Sequence, residues 1–252
     1  MSTPRILLAA AGRALVAVAA RALSPPACTA CDARLADAGV FCADCARTVR
    51  PSRARRAAYP LRGAAGSCVA AGAGLVAYAP FAGALADGIR RFKYEDRPDL
   101  ARPLGRLLLC AALDAGMNAD LLVIPVPLHP RRLAERGYNQ AALLAAHVAF
   151  GLAASLAPRA LCRVRTTAQQ AQLSRDLRLQ NVAGAFRVRE PERVRGRGIA
   201  LIDDVATTGA TLAACRDALL DAGALSVTCL VLASAEGGAD DIRSPPPSAR
   251  RT

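Results

Sequence analysis

The chain has 252 residues, 53% hydrophobic and 21% charged, which suits one substantial core plus a small accessory module and excludes a disordered polymer. Lysine and arginine number 33 against 20 acidic residues, for a net charge of +13, and Lys93 is the single lysine. Such an excess marks a surface that attracts polyanions (diphosphates, nucleic acid or acidic partners) without choosing among them.

In chain order, residues 1–23 carry Arg5, Arg13 and Arg21 in an Ala/Leu/Val background. Arg13 cuts the apolar run to the seven residues Ile6 to Gly12, which is short for a secretory signal. Leu7, Leu8, Leu15, Val18 and Leu23 instead fit one face of an amphipathic helix. Residues 24–56 form a second unit, built on Cys28-x2-Cys31-x10-Cys42-x2-Cys45 and closed by an arginine-rich linker of Arg50, Arg53, Arg55 and Arg56. Two such knuckles can place four thiolates around one tetrahedral Zn²⁺; the competing readings are two disulfides or a redox pair. An odd total of nine cysteines and no clear signal peptide favour a reducing, cytoplasmic setting and therefore zinc. A closed four-cysteine site has no open position for substrate, so its metal is structural, supplying folding energy of order 10 kcal/mol to a segment with little apolar bulk. Cys68, Cys110, Cys162, Cys215 and Cys229 sit in small or apolar surroundings and read as core.

Residues 57–235 alternate strand and helix patterns. Gly74 to Ala79 fits a strand, Phe81 to Phe92 a helix, Asp99 to Leu113 a helix, and Asp120 to Pro127 a buried strand. Arg131 to Leu152 reads as one long helix, whose alanine-rich stretch is too weakly hydrophobic for a membrane span, and Leu161 to Val164 as a short strand. Gly198 to Asp203, Ala210 to Leu220 and Ser226 to Leu232 then give strand, helix, strand. This alternation predicts a mainly parallel sheet covered on both faces, with ligands at the carboxyl ends of the strands. From Glu236 the Pro/Ser/Arg-rich tail, 236–252, reads as disordered.

The segment Ala200-Leu-Ile-Asp-Asp-Val-Ala-Thr-Thr-Gly-Ala-Thr-Leu212 is the most informative. An apolar strand runs into Asp203 and Asp204, and the turn Thr207, Thr208, Gly209, Ala210, Thr211 opens the next helix. Backbone N–H groups and the positive end of a helix dipole make such a turn a phosphate cradle. Carboxylates beside an anion hole make sense for a ligand with both hydroxyls and a phosphate, as in a ribose 5-phosphate. Two further segments bear on the site. Val126 to Gln140 leaves a strand with His129, an acid, base or simple turn cap, and brings Arg131, Arg132 and Arg136 to a helix start, where guanidinium forks suit a diphosphate. Asn139 and Gln140 follow, to bond a ligand or cap the helix. The polar stretch with Arg165, Gln169 and Arg178 reads as either a lid that excludes water or a solvated loop.

The Asp-Asp/Thr-Thr-Gly segment resembles the phosphoribosyl-diphosphate (PRPP) motif of type I phosphoribosyltransferases. Carried over by position, Asp203 and Asp204 hold the ribose hydroxyls, partly through Mg²⁺, and Thr207 to Thr211 wrap the 5-phosphate. Some members of that family have an Asp general base where this chain has Thr207, which cannot take a proton near neutral pH. Pro25-Pro26-x-Cys-x-x-Cys, the second knuckle, Phe92-Lys93-Tyr94, the Pro-Arg-Arg…Arg-Gly-Tyr-Asn-Gln block, the Asn-Val…Gly-Ala-Phe block and this motif occur in an order that resembles the ComF family, over residues 24–233. The resemblance implies a type I phosphoribosyltransferase-like α/β fold with a small N-terminal four-cysteine zinc module, PRPP with Mg²⁺ as ligand, and a link to competence and DNA uptake. Single-stranded DNA or other competence proteins are the expected partners, with no membrane insertion. The runner-up is a nonenzymatic nucleic-acid-binding or metabolite-sensing protein using the same anion sites.

Overall fold

A computed structural model describes residues 26–52, 74–164 and 184–235. The expected N-terminal helix, the linker residues Arg53, Arg55 and Arg56 with the boundary at 56/57, the lid residues Arg165, Gln169 and Arg178, Cys68 and the tail lie outside these segments.

The first described segment carries one short helix, α1 (Ala43–Ala46). The second holds β1 (Leu75–Pro80), α2 (Gly83–Tyr94), a 3-10 turn (Pro98–Leu100), α3 (Ala101–Asp114), β2 (Leu122–Pro125), α4 (Pro130–Arg136), α5 (Gln140–Leu152), β3 (Ser155–Leu156) and β4 (Leu161–Arg163). The third adds β5 (Phe186–Val188), α6 (Pro191–Val194), β6 (Gly198–Ala206), α7 (Ala210–Asp221) and β7 (Ser226–Ser234).

Five strands form a sheet in the order β1-β7-β6-β2-β3, every neighbouring pair parallel. Side chains alternate across it as the pleat requires. Ile199 and Leu201 of β6, with Cys229 and Val231 of β7, face a core shared with Leu212, Cys215 and Leu219 of α7. Ala200, Ile202, Leu230 and Leu232 face the opposite core, filled by Leu85, Ile89 and Phe92 of α2, Leu104 and Leu108 of α3, and Leu144 and Val148 of α5. Helices α3 and α5 approach closely because Gly105 leaves room for His147 and Gly151 for Leu109: a Cβ at either glycine would stand 2.7 Å or 2.3 Å from those side chains. The alanine-rich helix is thus a packed core element, and among the described residues no helix is long and apolar enough to cross a membrane.

The connection after β2 runs outward to β3 on one side, and the connection after β6 runs outward to β7 on the other. The chain therefore reverses direction between β2 and β6, which opens a crevice beyond their carboxyl ends. That crevice receives both the Val126 to Gln140 segment and the Asp203 to Thr211 segment.

Three local features differ from the sequence expectation. The helix expected over 131–152 is two helices, because Gly137 terminates α4 with φ +75° and Asn139 caps α5. Strand β6 continues through both aspartates to Ala206 rather than ending at Asp203. Strand β4 pairs antiparallel with β5, outside the main sheet. Of the cysteines expected in the core, Cys215 and Cys229 are buried, whereas Cys110 is exposed and Cys162 half-buried.

Candidate functional site

The crevice holds a cavity of about 520 Å³, lined on one wall by Asp203 to Leu212 and on the other by Val126 to Arg136. All seven residues expected to hold the phosphosugar line it, as do Arg131, Arg132 and Arg136. The loop after β6 is shaped by Gly209, whose φ of +71° lies in the left-handed region, so that α7 starts at Ala210 without a side-chain cap on Gly209 itself. Thr208 Oγ1 accepts from the Ala210 N–H at 3.4 Å.

Because adjacent strand residues point to opposite faces, Asp203 and Asp204 diverge. Asp204 turns toward α2, where Lys93 Nζ lies 2.7 Å from its Oδ1. Asp203 turns toward α7, close enough for its charge to help raise the buried Cys215 thiol, after burial itself. Burial pushes the Asp203 carboxyl up to about 7 and the neighbouring Asp204 charge adds to this, while Lys93 and the Asp204 N–H, which donates to Asp203 Oδ1 at 2.9 Å, pull it down. Lys93 is held above its ordinary value: burial lowers it, and the Asp204 carboxylate more than offsets that.

Asp203 thus prefers its proton in the folded chain. Its contribution is intact below the unfolded carboxylate value near 3.8 and is lost as pH rises to about 7. Asp203→Asn is therefore expected to melt above the parent chain at pH 8 and level with or below it at pH 4 in thermal scans without ligand. A constant gap across that range would contradict the proton preference.

The sequence marks Lys93 only by its place in Phe92-Lys93-Tyr94, yet it lines the cavity and partners Asp204. The last turn of α2 is fixed from the pocket side: Tyr138 Oη donates to the Phe92 carbonyl at 2.6 Å, and the buried Gln140 amide does so at 3.4 Å. Asn139 accepts from the Ala141 N–H at 3.0 Å and donates to the Val126 carbonyl at 3.1 Å, tying α5 to the end of β2. Asn139 and Gln140 therefore lock the cavity walls. His129 Nδ1 accepts from the Arg131 N–H at 3.2 Å, so this imidazole caps α4 and carries its neutral-form proton on Nε2.

The cationic wall is unevenly engaged. Arg131 pairs with Glu135 at 3.1 Å on an open surface, worth little in water. Arg136 stacks 5.0 Å from the Tyr94 ring centroid and donates to Gln140 Oε1. Arg163 of β4 also lines the cavity, a position the sequence did not reveal; burial, then the charge of Arg132, lowers its affinity for its proton. Five cations (Lys93, Arg131, Arg132, Arg136, Arg163) thus face three acids (Asp203, Asp204, Glu135), a balance suited to a polyanion that also offers hydroxyls.

In the segment packed along α2, the four expected cysteines converge, with Sγ atoms all within 4.8 Å of one another. Cys31 lies 3.8 Å from Cys42 and 3.7 Å from Cys45, close to the ~3.8 Å edge of a tetrahedron with metal–sulfur bonds of about 2.3 Å and far beyond a disulfide. Burial opposes ionisation of Cys28, but backbone N–H groups of the knuckle, from Cys42, Ala30 and Cys31, win and lower it to about 7. Burial and the crowding thiols raise Cys45. Four thiols with one poised to ionise suit a structural metal ion. The donor set fits.

Fold and site together define a parallel α/β protein with an arginine-walled crevice beyond the carboxyl ends of its central strands and a four-cysteine cluster. The chain is 39% identical over 157 residues to the DNA utilization protein YhgH of Shigella flexneri, a match that covers 61% of this chain and 68% of that protein. It is also 39% identical over 129 residues to competence protein F of Haemophilus influenzae, covering 49% of this chain and 56% of that one. The chain belongs to the ComF family, which these two proteins represent. No protein-family model matches it. Among solved structures, the allosteric regulatory enzyme of purine biosynthesis aligns at 21% identity with a TM-score of 0.40, over 56% of this chain and 29% of that chain.

Proposed function

We propose that this protein binds PRPP with Mg²⁺ in the crevice between β2 and β6, acts as a pentosyl-transferring phosphoribosyltransferase, and serves DNA uptake or nucleotide-linked metabolism in the cytoplasm. The observation that carries this reading is one cavity holding two carboxylates, a left-handed glycine loop at a helix start and a wall of guanidinium groups. Asp203 and Asp204 accept from the ribose 2′ and 3′ hydroxyls, Thr207 to Thr211 surround the 5-phosphate, and Arg131, Arg132 and Arg136 face the diphosphate. Mg²⁺ supplies charge neutralisation on the diphosphate when bound. An incoming nitrogen attacks C1′ as the C1′–O bond breaks and diphosphate leaves with the bonding pair. The arginines lower the cost of that departing charge. Thr207 offers no base, so the nitrogen's proton leaves to solvent or to the diphosphate. The four cysteines hold Zn²⁺ in a structural role, with residues 24–56 as its module and 57–235 as the transferase-like domain.

The net charge of +13 favours a second reading, in which the same anion sites hold a nucleic-acid backbone or sense a metabolite without catalysis. Calorimetric titration with PRPP and Mg²⁺ tests the first: saturable binding is expected, and none at millimolar ligand removes it.

A further inference from the structure

Resting on the anion-pocket reading above, we infer that the four-cysteine module is a brace that positions Lys93, so that metal loading of the module and occupancy of the pocket are energetically coupled. Helix α2 is the shared part: one side meets the module and its last turn delivers Lys93 to Asp204.

The module grips α2 along its length. At the start, Thr48 Oγ1 accepts from the Ala84 N–H at 2.9 Å, and Gly83 lies so close that a Cβ there would stand 2.7 Å from Thr48. Midway, fully buried Thr29 packs on Gly88, where a Cβ would meet it at 3.4 Å. Near the end, Arg91 donates to the Thr29 carbonyl at 3.1 Å and forms an ion pair with Asp32, which also pairs with Arg97 at 3.1 Å. Thr29 and Asp32 belong to the first knuckle, beside Cys28 and Cys31. Asp32 holds φ +59°, a left-handed conformation that the closed knuckle keeps in place. Arg91 lies two residues before Lys93, so the clamp acts within one turn of the pocket lysine.

The composition supports a dedicated role for Lys93. In a chain where every other basic residue of the 33 is arginine, the remaining lysine is the one against the pocket aspartate. A compact ammonium fits between helix and strand and can pass from carboxylate to an entering anion; a guanidinium fork is wider and tied to its partner's geometry. With α2 braced, Nζ is already placed when the anion arrives. With the module loose, binding must first order the helix end, and affinity falls by that ordering cost.

Asp32→Asn keeps the size and left-handed tolerance of the residue and removes the charge that holds Arg91 and Arg97. Inorganic pyrophosphate, which probes the anion site without the sugar, is expected to bind the zinc-loaded Asp32→Asn chain about five- to tenfold more weakly than the parent. The Asp32→Asn effect is expected to vanish in a Lys93→Met background. Linkage requires the reciprocal: saturating pyrophosphate raises zinc affinity, measured by equilibrium competition with a chelator, by the factor through which zinc raises pyrophosphate affinity. Equal pyrophosphate binding by Asp32→Asn and parent overturns the inference, as does an Asp32→Asn loss that persists with Lys93→Met. If Lys93→Met melts below the assay temperature, Lys93→Gln replaces it under the same criteria. Pyrophosphate binding with the expected coupling but no PRPP binding leaves the brace standing and removes the PRPP reading; no pyrophosphate binding by the parent overturns the brace.

Discussion

Cys28→Ser, or removal of metal by a strong chelator, is expected to unfold residues 26–52 while the parallel sheet keeps its secondary structure. The module has almost no apolar interior of its own. Its helix α1 spans four residues and buries none of them, and Cys28 and Thr29 are its buried side chains among the described residues. The knuckle is closed by backbone bonds from Cys28 N–H to Ala33, Asp32 N–H to Cys28 and Thr29 N–H to Val40, at 2.8–3.0 Å. Those few bonds cannot offset about 1–2 kcal/mol of backbone entropy per ordered residue. Zinc on four thiolates can, since structural sites bind with roughly 10–16 kcal/mol at neutral pH. Mass spectrometry of the native protein is expected to find one zinc per chain, and limited proteolysis of Cys28→Ser to cut first within the module. A metal-free parent whose module resists protease would show that the thiols need no ion.

Much of this arrangement is legible in the sequence because it rests on local chemistry. The cysteine spacing, the Asp203-Asp204 pair and the glycine loop each act within a few residues, and the buried strand over 120–127 reads directly from its apolar run. The break between α4 and α5 was legible too, since Gly137 followed by Asn139 is a helix stop followed by a helix start, but the apolar pattern running through Leu152 hides it. What the sequence conceals is long-range. Lys93 and Asp204 lie 111 residues apart and meet only because α2 packs on the face of β6 that carries Asp204. Arg163 reaches the cavity through the β4–β5 ladder, whose partner strand Phe186–Val188 is three residues long and carries little pattern of its own. The extension of β6 past Asp203 is likewise tertiary: Val205 and Ala206 pair with Ala233 and Ser234 of β7.

Asp204→Ala is expected to separate the two readings of the pocket by moving their ligands in opposite directions. For PRPP with Mg²⁺ the side chain supplies a charged acceptor to ribose hydroxyls. A charge-assisted hydrogen bond contributes about 1.5–3 kcal/mol, so losing the one that Asp204 accepts weakens binding by roughly 10- to 150-fold. For a polyanion the same change removes a repelling carboxylate and frees Lys93, which is otherwise neutralised at 2.7 Å, so affinity for inorganic pyrophosphate or single-stranded DNA should hold or rise. Asp204→Asn guards against misfolding, since it preserves the shape and one acceptor and should fall between parent and alanine variant for PRPP. If single-stranded DNA is a ligand, its affinity should drop steeply between low and moderate salt as phosphate counterions are released, and a flat response would count against backbone recognition. PRPP affinity unchanged in Asp204→Ala would mean that the ribose does not sit on this carboxylate. The basic wall of the cavity would then be the part that matters, and the polyanion reading would take precedence.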